Sequence, residues 1–174
     1  GPGLQLFQLP STWPNLDAVP NYLGALLPFP TLLEASAGVG HANYQTDKDG
    51  VIRNYLLAAG LGTNIIPSLA LSTAMLSKPP LSIERERIRL GDQKVRIDSK
   101  GALRFCPYLK DIESGYFKTY NIADVLLSWN QQVQGQEPII PRATFKDKIV
   151  LIGSTAQGLQ TDRKVTAFDA TTPG

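Results

Sequence analysis

One histidine, one cysteine and two short polar clusters are where this 174-residue chain has residue types suited to chemistry. With only His41 and Cys106 available, zinc sites of the usual Cys and His composition are excluded, and a Cys-His dyad would have to join two distant strands. A Ser-His-Asp triad would have to use His41, and no activated serine lies near it in sequence. Placed between Gly40 and Ala42 at the start of a strand, His41 reads as a packed, hydrogen-bonded residue. Asp47-x-Asp49-Gly50 has the opening acids of a calcium loop, but an EF-hand needs a bidentate glutamate at its twelfth position, where this chain has Ala58. The same residues form turns well: aspartates bond nearby amides, Gly50 supplies a positive φ, and Asp47 or Asp49 can pair with Arg53 to pin the hairpin. Gly153-Ser154-Thr155-Ala156-Gln157-Gly158 follows an apolar run, at the position where open α/β sheets bind ligands. It lacks the P-loop lysine, the three-glycine dinucleotide spacing and the G-x-S-x-G elbow, so it reads as a structural loop.

Composition narrows the function further. Apolar residues make up 43% and charged residues 18%, with a formal charge of +2. The bases are dispersed among acids, as in Glu84-Arg85-Glu86-Arg87, so no phosphate-tracking stripe forms and no nucleic-acid partner is expected. Trp13, Trp129 and the tyrosines are spread along the chain and make no stacking platform. Cys106, beside strand-like Leu103, Arg104 and Phe105, is expected to be a small buried apolar side chain. No apolar run approaches the roughly 18 residues of a membrane span, and no signal peptide is read. The length suits one domain with a real core. Gly1-Pro2-Gly3 reads as a cloning remnant, and 4–174 as a fragment of one domain, cut from something longer.

These residues must be positioned by a mixed set of elements. Residues 4–9 alternate as a strand, Pro10, Pro14 and Pro20 interrupt the next stretch, and a short helix follows Pro30. Residues 41–46 and 51–58 are expected to form a hairpin around Asp47-Lys48-Asp49-Gly50. A helix is expected over 67–77 with Pro67 in its first turn, closed by Lys78-Pro79-Pro80. Residues 88–90, 94–98 and 102–107 read as a three-stranded meander in which Val95 and Ile97 face Leu103 and Phe105. Asn121 caps a helix over 122–133, where Ile122, Val125, Leu126 and Trp129 repeat at helical spacing. Lys148-Ile149-Val150-Leu151-Ile152-Gly153 reads as a strand buried on both faces. The expected fold is a single mixed α/β domain: an antiparallel hairpin and meander plus a buried C-terminal strand, packed by helices.

Three pieces of this pattern resemble a known family. Gly40-His41-Ala42-Asn43, then Asp47-Lys48-Asp49-Gly50-Val51-Ile52-Arg53, then Pro67-Ser68-Leu69-Ala70-Leu71 are similar to the central signature of the CHASE2 family of bacterial sensor domains. Val95-Arg96-Ile97-Asp98 with Gly101, and Lys146 to Ala156, resemble its later hairpin and its C-terminal strand and loop. The resemblance runs from about residue 28 to the end. It implies a sensory module on the extracytoplasmic side of the inner membrane. Such modules are flanked by transmembrane helices and coupled to a cytoplasmic cyclase, kinase or diguanylate cyclase. It implies no catalytic residue, no metal and no cofactor in this chain, and its signal, a small molecule or a protein, is unidentified. Near the hairpin and the strand end, Asn43, Arg53, Ser154 and Thr155 are the expected polar contacts to a ligand. The rival readings are a ligand-free dimerisation module, which would make the chain a homodimer, and a small hydrolase using Ser154 with His41 as base.

Overall fold

The computed structural model describes residues 9, 13, 16–77, 81–84, 86–104 and 118–153. These fall into two compact units, one ending at 104 and one spanning 118–153.

The first unit holds short strands and two helices. After β1 (Asn21–Tyr22) comes α1 (Pro30–Ala35), which begins on a proline whose fixed φ suits a first helical turn. Next are β2 (Asn54–Leu56), β3 (Ala58–Leu61), β4 (Asn64–Pro67) and α2 (Leu69–Ser77). The unit continues with β5 (Leu81–Glu84), β6 (Arg87–Leu90), β7 (Gln93–Arg96) and β8 (Ala102–Arg104). The mixed α/β class holds, but the strands divide among three small sheets, ordered β1-β3-β4, β2-β8 and β5-β6-β7. β3 and β4 form a tight antiparallel hairpin turning at Gly62, where φ is +61°, while β1 lies parallel to β3.

The expected meander is partly redrawn. β6 and β7 pair antiparallel as anticipated, and β5 joins the other edge of β6. β8 instead leaves β7 and pairs with β2, setting Leu56 against Ala102 and Tyr55 against Leu103. The turn that releases it is built on Asp98, whose Oδ1 accepts from the amides of Lys100 and Ala102 at 2.8 Å each. Gly101 sits there at φ +75°, and a Cβ on it would lie 2.6 Å from Nε1 of the buried Trp13. Turn chemistry is local, whereas the choice of partner strand follows from which pairing buries Leu56 and Ala102, both inaccessible to water.

One core organises this unit. Leu9, Trp13, Val19, Leu57, Ala58, Leu71, Ile88, Leu90 and Ile97 are buried together. Alternation along β6 explains its share, since Ile88 and Leu90 point inward while Arg87 and Arg89 are exposed. A fully buried Ile side chain contributes about 1.5–3 kcal/mol relative to exposure. Of the first expected strand, Leu9 is described, and its amide donates to Ile65 O at 3.0 Å.

The second unit is organised by α3 (Ile122–Val133). As the sequence indicates, Asn121 caps it, its Oδ1 accepting from Ala123 N at 3.0 Å. The chain returns along the helix through Ser128, whose hydroxyl donates to Asp124 O and accepts from Ile140 N at 2.9 Å. Gln131 Oε1 holds the amide of Ile139 in the same way. A short 3-10 turn, Arg142–Phe145, brings Phe145 edge-on to Tyr120 with ring centroids 5.5 Å apart.

Two expected strands are corrected. Residues 148–153 form no strand, and Leu151 and Ile152 are 88% and 85% exposed rather than buried. β-branched residues favour a strand only where an edge is present to pair with, and no described strand lies against this run. Residues 41–46 form no ladder either; His41 makes a single parallel bridge to Ser68. The region of Cys106, and residues 4–8 of the first strand, lie outside the described residues.

Gly40 tests this packing. A Cβ there would lie 2.5 Å from Leu69 N, against backbone that cannot yield. Gly40→Ala is therefore expected to lower unfolding free energy by about 1–3 kcal/mol in urea titrations. Gly24→Ala, with nothing within 4 Å, is expected to stay within about 0.5 kcal/mol.

Candidate functional site

Of the residues singled out by the sequence, His41, Asn43, Asp47, Asp49 and Arg53 lie along one segment, 40–53, that crosses the start of α2 and then turns back. Its first contact is a backbone junction. His41 N donates to Pro67 O and His41 O accepts from Leu69 N, both at 2.9 Å, so the segment brackets Ser68. On its other side Ser68 donates its own amide to Leu57 O at 2.8 Å. Ser68 is fully buried, and its Oγ accepts from Leu71 N at 3.2 Å, capping α2. Pro67 therefore ends β4 instead of opening the helix, which begins two residues later than expected, at Leu69.

His41 itself departs from the expected hydrogen-bonded residue. Its ring is half-buried, and both Nδ1 and Nε2 are shielded from water with no partner among the described residues. Burial, with no charged neighbour contributing, holds its pKa below the ordinary 6.5. At neutral pH the imidazole is uncharged.

The segment then closes on itself. Asp47 N donates to Val51 O and Gly50 N to Asp47 O, each at 2.9 Å, with Gly50 at φ +81°. Asp49 Oδ1 accepts from Val51 N at 3.1 Å. Arg53 grips both acids, donating through Nη1 to Asp47 Oδ2 at 2.8 Å and through both terminal nitrogens to Asp49 at 2.9 and 2.7 Å. This fork-to-fork contact is the pinned turn anticipated for the hairpin, although its flanks make no ladder. The Arg53 guanidinium beside it holds the Asp49 carboxyl down to about 2. The arginine in turn is held above its ordinary range. All three side chains remain about half exposed, so water and salt screen the attraction.

Of the four expected ligand contacts, Asn43 and Arg53 share this segment. Asn43 is half-buried just past the bridge, while Arg53 already donates to two carboxylates. Ser154 and Thr155 lie outside the described residues, as does the serine of the hydrolase reading. Among the described residues no group of three His, Cys, Asp or Glu side chains is placed to hold a metal ion. The residues that sequence reasoning passed over are Gly40 and Ser68. A serine directly before the apolar run at Leu69 is a cap signal, and Pro67 drew attention away from it.

Asp49 supplies a pH test. Its folded-state pKa lies below the ordinary 3.8, so its stabilising effect is complete above that value and is lost as pH falls toward about 2. Asp49→Asn is expected to remove that part of the acid dependence, and to flatten the salt dependence of the midpoint. Urea midpoints measured on either side of this window, at low and high salt, check both.

No helix among the described residues is long and apolar enough to cross a membrane. No curated protein and no solved structure matches the chain. A family model, described as the CHASE2 domain, matches residues 6–174, beginning well before residue 28, where the resemblance becomes legible by eye. With that match spanning both units, the chain belongs to the CHASE2 family of extracytoplasmic sensory domains.

Proposed function

We propose that this chain is the signal-receiving part of a bacterial transmembrane receptor. It is held on the periplasmic or extracellular side of the inner membrane by flanking helices, and relays its state to a cytoplasmic cyclase, kinase or diguanylate cyclase. The family match over residues 6–174 carries the reading. The local chemistry agrees with it: the conspicuous charged cluster, Asp47, Asp49 and Arg53, is directed inward on its own turn, which suits a framework more than a reaction centre. A sensor of this kind works by differential affinity, the signal binding one of two conformations more tightly and so shifting their populations.

Asn43, Arg53, Ser154 and Thr155 are the proposed polar contacts. Asn43 sits between the bridge at Ser68 and the pinned turn, so a ligand bound there would couple the turn to the start of α2. Arg53 has donors beyond those given to the aspartates, since a guanidinium carries five N–H groups.

A thermal-shift screen of small metabolites against the whole chain tests the site. A true ligand at about 100 times its dissociation constant adds roughly 2.7 kcal/mol of stability, a shift of several degrees. Asn43→Ala, Arg53→Ala, Ser154→Ala and Thr155→Ala are expected to diminish that shift. Hits that survive unchanged in all four variants overturn the site assignment.

A further inference from the structure

The junction at Ser68 contains the ring of His41, the one histidine of the chain and the side-chain type whose ordinary pKa lies nearest neutrality. His41 is bonded through its backbone to Pro67 and Leu69, on either side of a fully buried serine. Its two ring nitrogens are shielded from water and unpartnered among the described residues. A neutral imidazole tolerates this poorly and an imidazolium far worse, because two charged N–H donors would be left without water or an acceptor.

Among the described residues, no acidic side chain is partner to the ring. Along the elements packed at the junction, β3, β4 and α2, there is no acidic or basic side chain. On the approach side, the ionisable groups of the 40–53 segment, α1 and β2 are Glu34, Tyr44, Asp47, Lys48, Asp49, Arg53 and Tyr55, and burial rather than any of these accounts for the shift at His41. Asp47 and Asp49 are engaged with Arg53. The bridge partner of His41, Ser68, stands directly before Leu69 at the start of α2, the positive end of the helix dipole, which adds to the cost of a cation.

We infer that His41 is a proton-operated latch, closing the 40–41 segment onto the start of α2 when neutral and releasing it when protonated. Protonation requires the ring to turn out to water, and the backbone bonds to Pro67 and Leu69 loosen with it. This deepens the sensory reading, on which its signalling role rests, by naming external acidity as an input. The latch itself is a property of the chain alone.

The direction follows from linkage. Above the ordinary pKa of 6.5 the ring is neutral whether folded or not. Below it the unfolded chain binds the proton first, so stability declines with falling pH until the folded-state pKa is reached, and is level beyond it.

Because His41 is the only histidine, its ring gives one imidazole resonance, and its titration in the intact 174-residue chain reads the folded-state pKa directly. A midpoint below 6.5, together with protection of the His41 and Leu69 amides that, corrected for the intrinsic base-catalysed exchange rate, falls several-fold from about pH 8 to about pH 5, is the expected result. His41→Phe keeps a planar ring without a titrating group, and its unfolding temperature is expected to lose the wild-type decline across that range. A midpoint at or above 6.5, or protection factors at these amides that do not change with pH, overturns the latch, even if His41→Phe fails to fold. If the latch holds and the output of the full-length receptor ignores external pH, the signalling role fails while the latch stands.

Discussion

Burying the peptide groups around Ser68 is the constraint on which the first unit depends. Three chain segments meet there, and none can leave its amides and carbonyls unpaired away from water. The solution is reciprocal: Leu57 O takes the amide of Ser68, the hydroxyl of Ser68 takes the amide of Leu71, and His41 supplies both a donor and an acceptor to the residues on either side. Gly40 makes the approach possible by having no side chain where Leu69 backbone passes. β3, β4, α2 and the 40–41 segment are thereby tied into one local assembly, with Leu57, Ala58 and Leu71 among the core residues beside it.

The same segment carries two electrostatic features of opposite character. Asp47, Asp49 and Arg53 are charged, paired and half exposed, so their geometry is well defined while screening keeps their energetic weight small. His41 is neutral, shielded and unpaired among the described residues, so its energetic consequence is latent and appears only when a proton arrives. The pinned turn thus acts as a fixed handle on a segment whose other end is conditional. That division suits a domain of a sensory family, which needs a rigid part to carry displacement and a bistable part to produce it.

Much of this was legible in the residues. The Asn121 cap and the spacing of Ile122, Val125, Leu126 and Trp129 mark α3 with its true bounds. Asp47 to Gly50 mark their turn, and Arg53 was a visible partner for the acids. Gly91-Asp92 locate the β6–β7 turn. Each of these is decided within a few residues, by a hydrogen bond or an ion pair whose partners are neighbours in sequence. What was misread depends on distant chain. β8 chose β2 over β7, the expected hairpin arm 41–46 gained a single bridge in place of a ladder, and the apolar run 148–153 found no edge among the described strands.

The site divides along the same line. Sequence by itself determined the family signature, the absence of any zinc ligand set and the chemistry of the Asp-Gly turn, because these rest on residue identity at fixed spacing. Only the tertiary structure decided that Gly40 must stay small, that Ser68 is a buried cap, and that the His41 ring nitrogens are shielded with no partner among the described residues. Those properties belong to no residue alone. They arise where segments 11 to 28 residues apart compete for the same space and the same hydrogen bonds, and local propensity carries no information about that competition.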